Sequence, residues 1–155
     1  MMWFTGYLNS SEKTRERYSA DGRWYLTGDA GSKDADGHFY FSSRDDDVII
    51  MAGYRIGPFE VESVLAMHDA VAECAVVGVP DELRGEVLEA YVVLATGVSG
   101  SDDLTGELQS LVKTKFAAHA YPRVVHYVAE LPKTPSGKVQ RYILRKERTA
   151  ELRQH

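Results

Sequence analysis

Cysteine and long apolar stretches are scarce in this chain of 155 residues. Cys74 is the single cysteine, so no internal disulfide can form, and a lone thiol fits a reducing compartment. No apolar run approaches the roughly 18 to 20 residues that cross a bilayer, and no long apolar segment of the secretory type follows Met1. We therefore expect a cytoplasmic protein that has no membrane partner.

Positive charge is also in deficit, because 18 Lys and Arg face 23 Asp and Glu, for a net charge of −5 at pH 7. This balance argues against bulk binding to nucleic acid. The five histidines have no metal-ligand spacing, and the acidic run at 45–47 fits no calcium loop. A Gly-x-Ser-x-Gly nucleophile elbow is absent as well. The sequence therefore predicts no metal site in this chain.

What is present falls into two parts with different patterns. Residues 1–22 are polar and aperiodic, whereas apolar residues after position 57 recur at helical spacing or in runs typical of buried strands. The predicted strands are 23–26, 38–41, 48–51, 70–79 (ending at Pro80), 87–95 and 124–128, and the predicted helices are 58–67, 104–116 (capped by Ser101) and 141–153. This order predicts an α+β fold with a small three-stranded sheet covered by helices from about residue 46, preceded by short antiparallel strands in a hairpin.

The most informative segment is 131–141, with the sequence LPKTPSGKVQR. Pro132, Pro135 and Gly137 exclude a regular helix or a central strand, so the segment is a turn-rich loop that presents Lys138. A lysine on such a loop is a mobile point charge suited to phosphate, although a solvated surface lysine is the simpler alternative. The segment is not the usual phosphate-binding loop, which requires a glycine at the position of Pro132.

Three further segments each have a ligand-binding and a plain structural interpretation. In 25–29 (YLTGD), the Asp29 carboxylate could accept hydrogen bonds from a ribose diol, or the segment could be a turn. The segment 43–47 (SRDDD) is either a hinge or a solvated linker between two strands. In 53–58 (GYRIGP), Gly53 permits close approach of the backbone to a ligand, or simply a tight turn.

Taken together and in this order, the motifs at 25–29, 43–49, 53–62 and 132–138 resemble those of the acyl-adenylate-forming enzymes. That family includes acyl-CoA synthetases, the adenylation domains of peptide synthetases and firefly luciferase. The resemblance covers essentially the whole chain but only the C-terminal part of a typical member. It implies a two-step reaction in which a carboxylic acid and ATP, with Mg, give acyl-AMP and pyrophosphate, after which CoA displaces AMP to form a thioester.

The resemblance also implies roles for individual residues. Asp29 would hold the ribose hydroxyls, and Arg44 would reach the nucleotide. Asp46 matches the hinge about which the small domain swings between the two steps. Lys138 matches the catalytic lysine of adenylation, a role that suits a mobile ammonium near the charge developing on the α-phosphate.

After the swing, a different set of residues would face CoA. By resemblance, Gly53 lines the path of the thiol, Tyr54 and Arg55 lie on the same hairpin, and Lys113 contacts a CoA phosphate. The strand around Ile50 lacks a lysine that peptide-synthetase domains often carry. The chain therefore looks more like acetyl- and medium-chain or aromatic-acid CoA synthetases, with free CoA as the acceptor.

The family's pyrophosphate-binding loop and acyl pocket are absent from the sequence. We therefore expect residues 1–45 to be the tail of a large N-terminal domain and 46–155 to be the lid, in a fragment that is inactive alone and pairs with that large domain in cis or in trans. Two alternatives stay open, namely the lid of a peptide synthetase and a non-catalytic module that binds CoA or a separate subunit. Exposed strands at 23–51 also make a homodimer plausible.

Overall fold

The structure is a computed structural model that describes residues 4–154. After a short helix, α1, the chain forms two hairpins, a helix, a long strand pair, a second helix, one further strand and a C-terminal helix. The elements are α1 (Ser11–Arg15), β1 (Asp29–Lys33), β2 (Phe39–Arg44), β3 (Ile49–Met51), β4 (Tyr54–Ile56), α2 (Pro58–Leu65), β5 (Val71–Asp81), β6 (Gly85–Leu94), α3 (Asp102–Lys115), β7 (Val124–Tyr127) and α4 (Arg141–Leu152). A single 3-10 turn, Asp45–Asp47, joins β2 to β3.

The main sheet is built around β6. Strand β5 pairs with it antiparallel along its whole length, and β7 pairs with it parallel after the α3 crossover that a parallel connection requires. The predicted α+β class and three-stranded sheet are thus confirmed. The β3–β4 hairpin extends the sheet to five strands, because Met51 pairs with Gly85 at the start of β6.

Both main helices begin as the sequence predicts. Ser101 accepts a hydrogen bond at its Oγ from the backbone N–H of Leu104, which satisfies one of the free donors at the start of α3. In α2, Pro58 occupies the first turn, and the carboxylate of Glu60 accepts a hydrogen bond from the N–H of Gly57. These caps fix where each helix leaves the sheet.

The hydrophobic core lies on both faces of the main sheet. One face packs against α2 and α3 through side chains such as Ile49, Leu65 and Leu108, and the other packs beneath α4 around Leu131 and Leu144. Because helices and loops cover both faces, β5 and β6 read as continuous apolar runs rather than alternating ones. Every buried hydrophobic side chain found in the described residues belongs to 49–144.

The first third of the chain departs from the prediction. Residues 23–26 do not form a regular strand, since only Tyr25 makes an isolated bridge, to Tyr18, and the rings of Phe4, Tyr18 and Tyr25 pack together instead. The partner of β2 is the polar segment β1. Tyr25 therefore belongs to a ring cluster rather than to a strand. Helix α1 lies in a segment that we expected to be irregular.

Pro80 was expected to end its strand, but β5 continues to Asp81. Strand β5 is at the edge of the sheet, where a proline without a backbone N–H is tolerated. Within residues 4–154, no helix combines the length and apolar character needed to span a membrane.

Candidate functional site

A cleft of about 570 Å³ separates the β2–β3 junction from the loop that carries Lys138. One wall comes from the junction and the other from the loop and the start of α4. The lining residues are Arg44, Asp46, Asp47, Thr134, Lys138, Val139, Gln140, Arg141 and Tyr142. The fold thus brings Arg44, Asp46 and Lys138, which the sequence singled out separately, to one place.

The Lys138 loop is a tight hairpin. Thr134 donates its N–H to the carbonyl of Lys138 at 2.8 Å, and Gly137 donates its N–H to the carbonyl of Thr134 at 2.8 Å. Gly137 has a φ of +82°, a left-handed conformation that glycine adopts without steric cost. The Lys138 side chain is exposed, so its ammonium is free to meet an anionic ligand in the cleft.

Opposite Lys138, Arg44 lies between two carboxylates. Its Nε donates to Asp46 Oδ1 at 3.1 Å, and its Nη1 contacts Asp29 Oδ1 at 3.4 Å and the carbonyl of Thr27 at 3.2 Å. The hydrogen bond from Arg44 lowers the pKa of Asp46, and the same bond raises the pKa of Arg44. Asp29, Arg44 and Asp46 therefore form one connected cluster at the end of β2.

The β3–β4 hairpin turns through Ala52 and Gly53, whose φ angles are 49° and 84°. Two successive positive φ angles define a type I′ turn. A Cβ added to Gly53 would meet nothing within 4 Å, so the backbone there is open to an approaching molecule. Beside it, the Tyr54 ring lies over the His119 ring with centroids 4.2 Å apart, and Arg55 Nη2 is 3.6 Å from Asp45 Oδ1.

The Lys138 hairpin and the β3–β4 hairpin are attached to opposite ends of the main sheet. The Lys138 hairpin is held near the start of β5, where Lys133 Nζ donates to Glu73 at 2.6 Å. The β3–β4 hairpin joins at Gly85, the partner of Asp81 at the end of β5. At roughly 3.3 Å per residue, Glu73 and Asp81 are about 25 Å apart. The tip of the β3–β4 hairpin therefore lies away from the Lys138 hairpin, whereas its base adjoins the junction through Arg55 and Asp45.

Lys113 is not among the residues that line the cleft. Its Nζ lies 4.0 Å from the centre of the Tyr121 ring, and the guanidinium of Arg123 lies 4.0 Å from the same centre. These cation–π contacts place Lys113 in a basic and aromatic cluster on α3 and the following loop. Its predicted role as a contact for a CoA phosphate stays a prediction.

Sequence reasoning missed an ion-pair network behind the cleft. Arg141 donates from Nη2 to Glu62 Oε2 at 2.7 Å, from Nε to Glu62 Oε1 at 3.0 Å and from Nη1 to Asp47 Oδ2 at 3.3 Å. Burial acts to lower the pKa of Arg141, but hydrogen bonds and charge from Glu62 and then Asp47 outweigh it and raise that pKa. Arg141 and Glu62 are 79 positions apart, so no spacing pattern links them.

One group of potential metal ligands occurs in residues 4–154, namely Asp34, Asp36 and His38 in the β1–β2 hairpin. Asp34 is engaged in the turn itself, because it accepts hydrogen bonds from the His38 N–H and from the Tyr40 hydroxyl. These hydrogen bonds hold the hairpin loop together, which accounts for the closeness of the three side chains. It lies outside the cleft that holds Lys138.

Comparison with known proteins identifies the fold family. The family model described as the AMP-binding enzyme C-terminal domain matches residues 60–138, which is half of the chain. The chain belongs to the AMP-binding enzyme C-terminal domain family. The resemblance seen in the four sequence motifs is therefore confirmed.

Individual relatives of this AMP-binding C-terminal domain agree with the family assignment. The human protein "Acyl-coenzyme A synthetase ACSM4, mitochondrial" is 51% identical over 145 residues, which cover 92% of this chain and 25% of the relative. An acyl-CoA synthetase of Brucella canis is 50% identical, with a TM-score of 0.69 over 97% of this chain and 27% of its own. The chain thus spans about a quarter of the length of these relatives.

Two structures of MatB from Rhodopseudomonas palustris differ in how well they match. The ATP-bound structure has a TM-score of 0.83 and the apo structure one of 0.67, each at 32% identity and over 94% of this chain and 28% of its own. Identity and coverage are the same in the two comparisons. The chain described here therefore superposes better on the ATP-bound structure than on the apo structure.

Proposed function

We propose that this chain works as the C-terminal lid of an ATP-dependent acyl-CoA synthetase. The observation that carries the proposal is the shared cleft, which Lys138 and Arg44 line from two different parts of the fold. The chain is a C-terminal domain of the acyl-CoA synthetase family. The activity of the assembled enzyme, with its acid, ATP and CoA, is the proposed part.

In the first step, an oxygen of the substrate carboxylate forms a bond to the α-phosphorus of ATP, and the bond to pyrophosphate breaks. Negative charge develops around the α-phosphate. The exposed ammonium of Lys138 can donate to those oxygens, while Arg44 contributes a second cation at the opposite wall of the cleft. Asp29, next to Arg44, would accept hydrogen bonds from the ribose hydroxyls.

The cleft does not fit a Mg²⁺ ion well. Its carboxylates, Asp46 and Asp47, are already paired with Arg44 and Arg141. A hard cation needs several free oxygen ligands. We infer that the Mg²⁺ that accompanies ATP is held by the phosphates and by the large domain, and that residues of this chain do not ligate it.

In the second step, the CoA thiol attacks the acyl carbonyl, the thioester bond forms, and AMP leaves with the electron pair of the broken carbon–oxygen bond. For this step we propose that the lid turns about Asp46 and presents the β3–β4 hairpin instead of Lys138. The open face of Gly53 supports this proposal, as do the exposed Tyr54 and Arg55 beside it. Lys113 would contact a CoA phosphate.

The proposed partner is the large N-terminal domain. The β1–β2 hairpin exposes large apolar side chains, including Phe39 at 80% and Phe41 at 58%, and Trp24 before it is 65% exposed. Such a patch favours a protein partner. The same strands could instead pair with a second copy of the chain, and the single Cys74 supports a cytoplasmic location. We propose a fatty or aromatic carboxylic acid as the substrate.

The proposal is tested by mixing this chain with the large domain of the Brucella canis acyl-CoA synthetase and measuring ATP–pyrophosphate exchange and acyl-CoA formation with a panel of carboxylic acids. The mixture should be active with free CoA, and each part alone should be inactive. Transfer only to a carrier-bound thiol would favour a peptide synthetase. CoA binding with no activity under any condition would favour a non-catalytic module.

A further inference from the structure

The hairpin that carries Lys138 is anchored to carboxylates at both of its ends. Before the hairpin, Lys133 donates to both carboxylate oxygens of Glu73 at 2.6 and 2.7 Å. After it, Arg141 makes a two-bond contact with Glu62 on α2. Lys138 itself has no such restraint on its side chain and is exposed. Its position in the cleft therefore depends on how firmly the hairpin is held.

Of these two anchors, the Arg141 pair is the stronger by its geometry. The side chains of Lys133 and Glu73 are 37% and 46% exposed, and ion pairs that are so accessible to water contribute little. Those of Arg141 and Glu62 are 22% and 11% exposed, and their contact is the bidentate fork that a guanidinium forms with a carboxylate. Glu62 also accepts the backbone N–H of Val76 at 2.8 Å, which fixes its orientation against β5.

The same end of α4 also contacts the junction that would act as the hinge. The third donor of Arg141, Nη1, reaches Asp47, one residue beyond Asp46. One turn further along α4, Arg145 Nη1 is 3.5 Å from the carbonyl oxygen of Asp46. A single helical turn therefore links α2, the junction and the Lys138 hairpin.

We propose that Arg141 is a positioning residue for adenylation, which holds the Lys138 hairpin at a fixed place relative to the junction through Glu62 and Asp47. This inference rests on the proposed function, in which Lys138 acts on the α-phosphate. Arg141 lines the cleft, but its Nε and both of its Nη atoms donate to protein carboxylates. It acts through Lys138 rather than on the nucleotide.

The test uses Arg141→Met, which keeps the length of the side chain but removes its donors. Arg148→Met is the matched control, because Arg148 lies on the same helix and forms a comparable buried pair, with Nε 2.8 Å from Glu89 Oε2. Arg141→Lys keeps the charge and loses the fork. Each variant is made in the 155-residue chain and combined with the large domain.

In the assembled enzyme, Arg141→Met should lower kcat for ATP–pyrophosphate exchange by about tenfold or more, with KM for ATP changed by less than about twofold. Thioester formation from preformed acyl-AMP should be unchanged, and Arg141→Lys should restore part of the loss. When it is assayed below its own melting temperature, Arg148→Met should keep the rates of both half-reactions within about twofold of the parent. Equal losses in Arg141→Met and Arg148→Met would show that the Arg141 pair only stabilises the fold.

A second measurement does not depend on activity. Hydrogen exchange in the 155-residue chain reports the hydrogen-bonded amides of Thr134, Gly137 and Gln140 in the hairpin. They should exchange about tenfold faster in Arg141→Met and at the parental rate in Arg148→Met. If the parent mixture is inactive but this difference is seen, the proposed function fails and the anchoring stands. If exchange is the same in both variants, the anchoring is refuted whatever the activity.

Discussion

Two glycines allow the proposed role of the β3–β4 hairpin to be separated from its effect on folding. Gly53 and Gly97 have φ angles of +84° and +83°, and a Cβ at either would meet nothing within 4 Å. Gly53 is at the tip of the hairpin that would face CoA, whereas Gly97 is in the turn between β6 and α3. Replacement by leucine imposes the same backbone strain at both positions without a clash inside the domain.

The cost to stability should therefore be similar in the two variants. A left-handed conformation costs an L-residue other than glycine about 1–2 kcal/mol. For a chain of this length, that corresponds to a fall in Tm of about 2–8 °C in both Gly53→Leu and Gly97→Leu. Thermal unfolding followed by circular dichroism measures this shift directly.

The effect on catalysis should differ. Gly53→Leu places a side chain in the path of the thiol, so thioester formation from preformed acyl-AMP should fall by about 100-fold while ATP–pyrophosphate exchange is retained. Gly97→Leu should retain both half-reactions. If the two variants lose thioester formation equally, or if Gly53→Leu lowers both half-reactions to the same degree, the assignment of this hairpin to the second step is wrong.

Three further predictions follow from the site and the core. Lys138→Ala should lower ATP–pyrophosphate exchange by about 10²- to 10³-fold while thioester formation from preformed acyl-AMP survives, and equal losses in the two assays would contradict the proposed role. Burial acts to raise the pKa of Glu89, but hydrogen bonds from His126 and Arg148 outweigh it, so that pKa lies below its ordinary value of 4.5. Ionised Glu89 should therefore stabilise the fold above about pH 4.5, and this contribution should be lost as the pH falls through the lowered pKa. The urea midpoint should fall with pH over that range in the parent and change less in Glu89→Gln. A chain of residues 46–155 should melt within about 5 °C of the parent in circular dichroism, because the buried hydrophobic side chains lie in that part; loss of a cooperative transition would refute this domain boundary.

Sequence reasoning succeeded where local chemistry decides the structure. The cap at Ser101, the proline at the start of α2 and the apolar runs of β5 and β6 each have a local physical cause that can be read from neighbouring residues. The turn at Gly53 belongs to the same class, because a positive φ at that position favours glycine. These features allowed the order of the elements from β3 to α4 to be predicted.

Failures arose where the cause lies elsewhere in the fold. Strand β1 (DAGSK) contains no large apolar residue, and it is held only by its pairing with β2. The run at 23–26 has the composition of a strand, but its Tyr25 ring packs against Phe4, which is distant in sequence, and Trp24 stays exposed. The Arg141–Glu62 pair could not be predicted from one sequence, because an ion pair over such a separation has no periodic signature. Proximity of Arg44 to Lys138 was expected only through the family resemblance.

The open tip of the β3–β4 hairpin has a consequence for how the protein can change. A Cβ added at Gly53 meets nothing within 4 Å, so the strain of a substitution there is absorbed in the turn. Under the proposed function, preference for the thiol acceptor and efficiency of nucleotide activation should therefore be open to change one at a time, by evolution or by design. The base of the same hairpin is tied to the junction, since Arg55 Nη2 lies 3.6 Å from Asp45 Oδ1. Exchange of only the tip residues 52–54 between relatives should therefore transfer acceptor preference while the activation chemistry is kept.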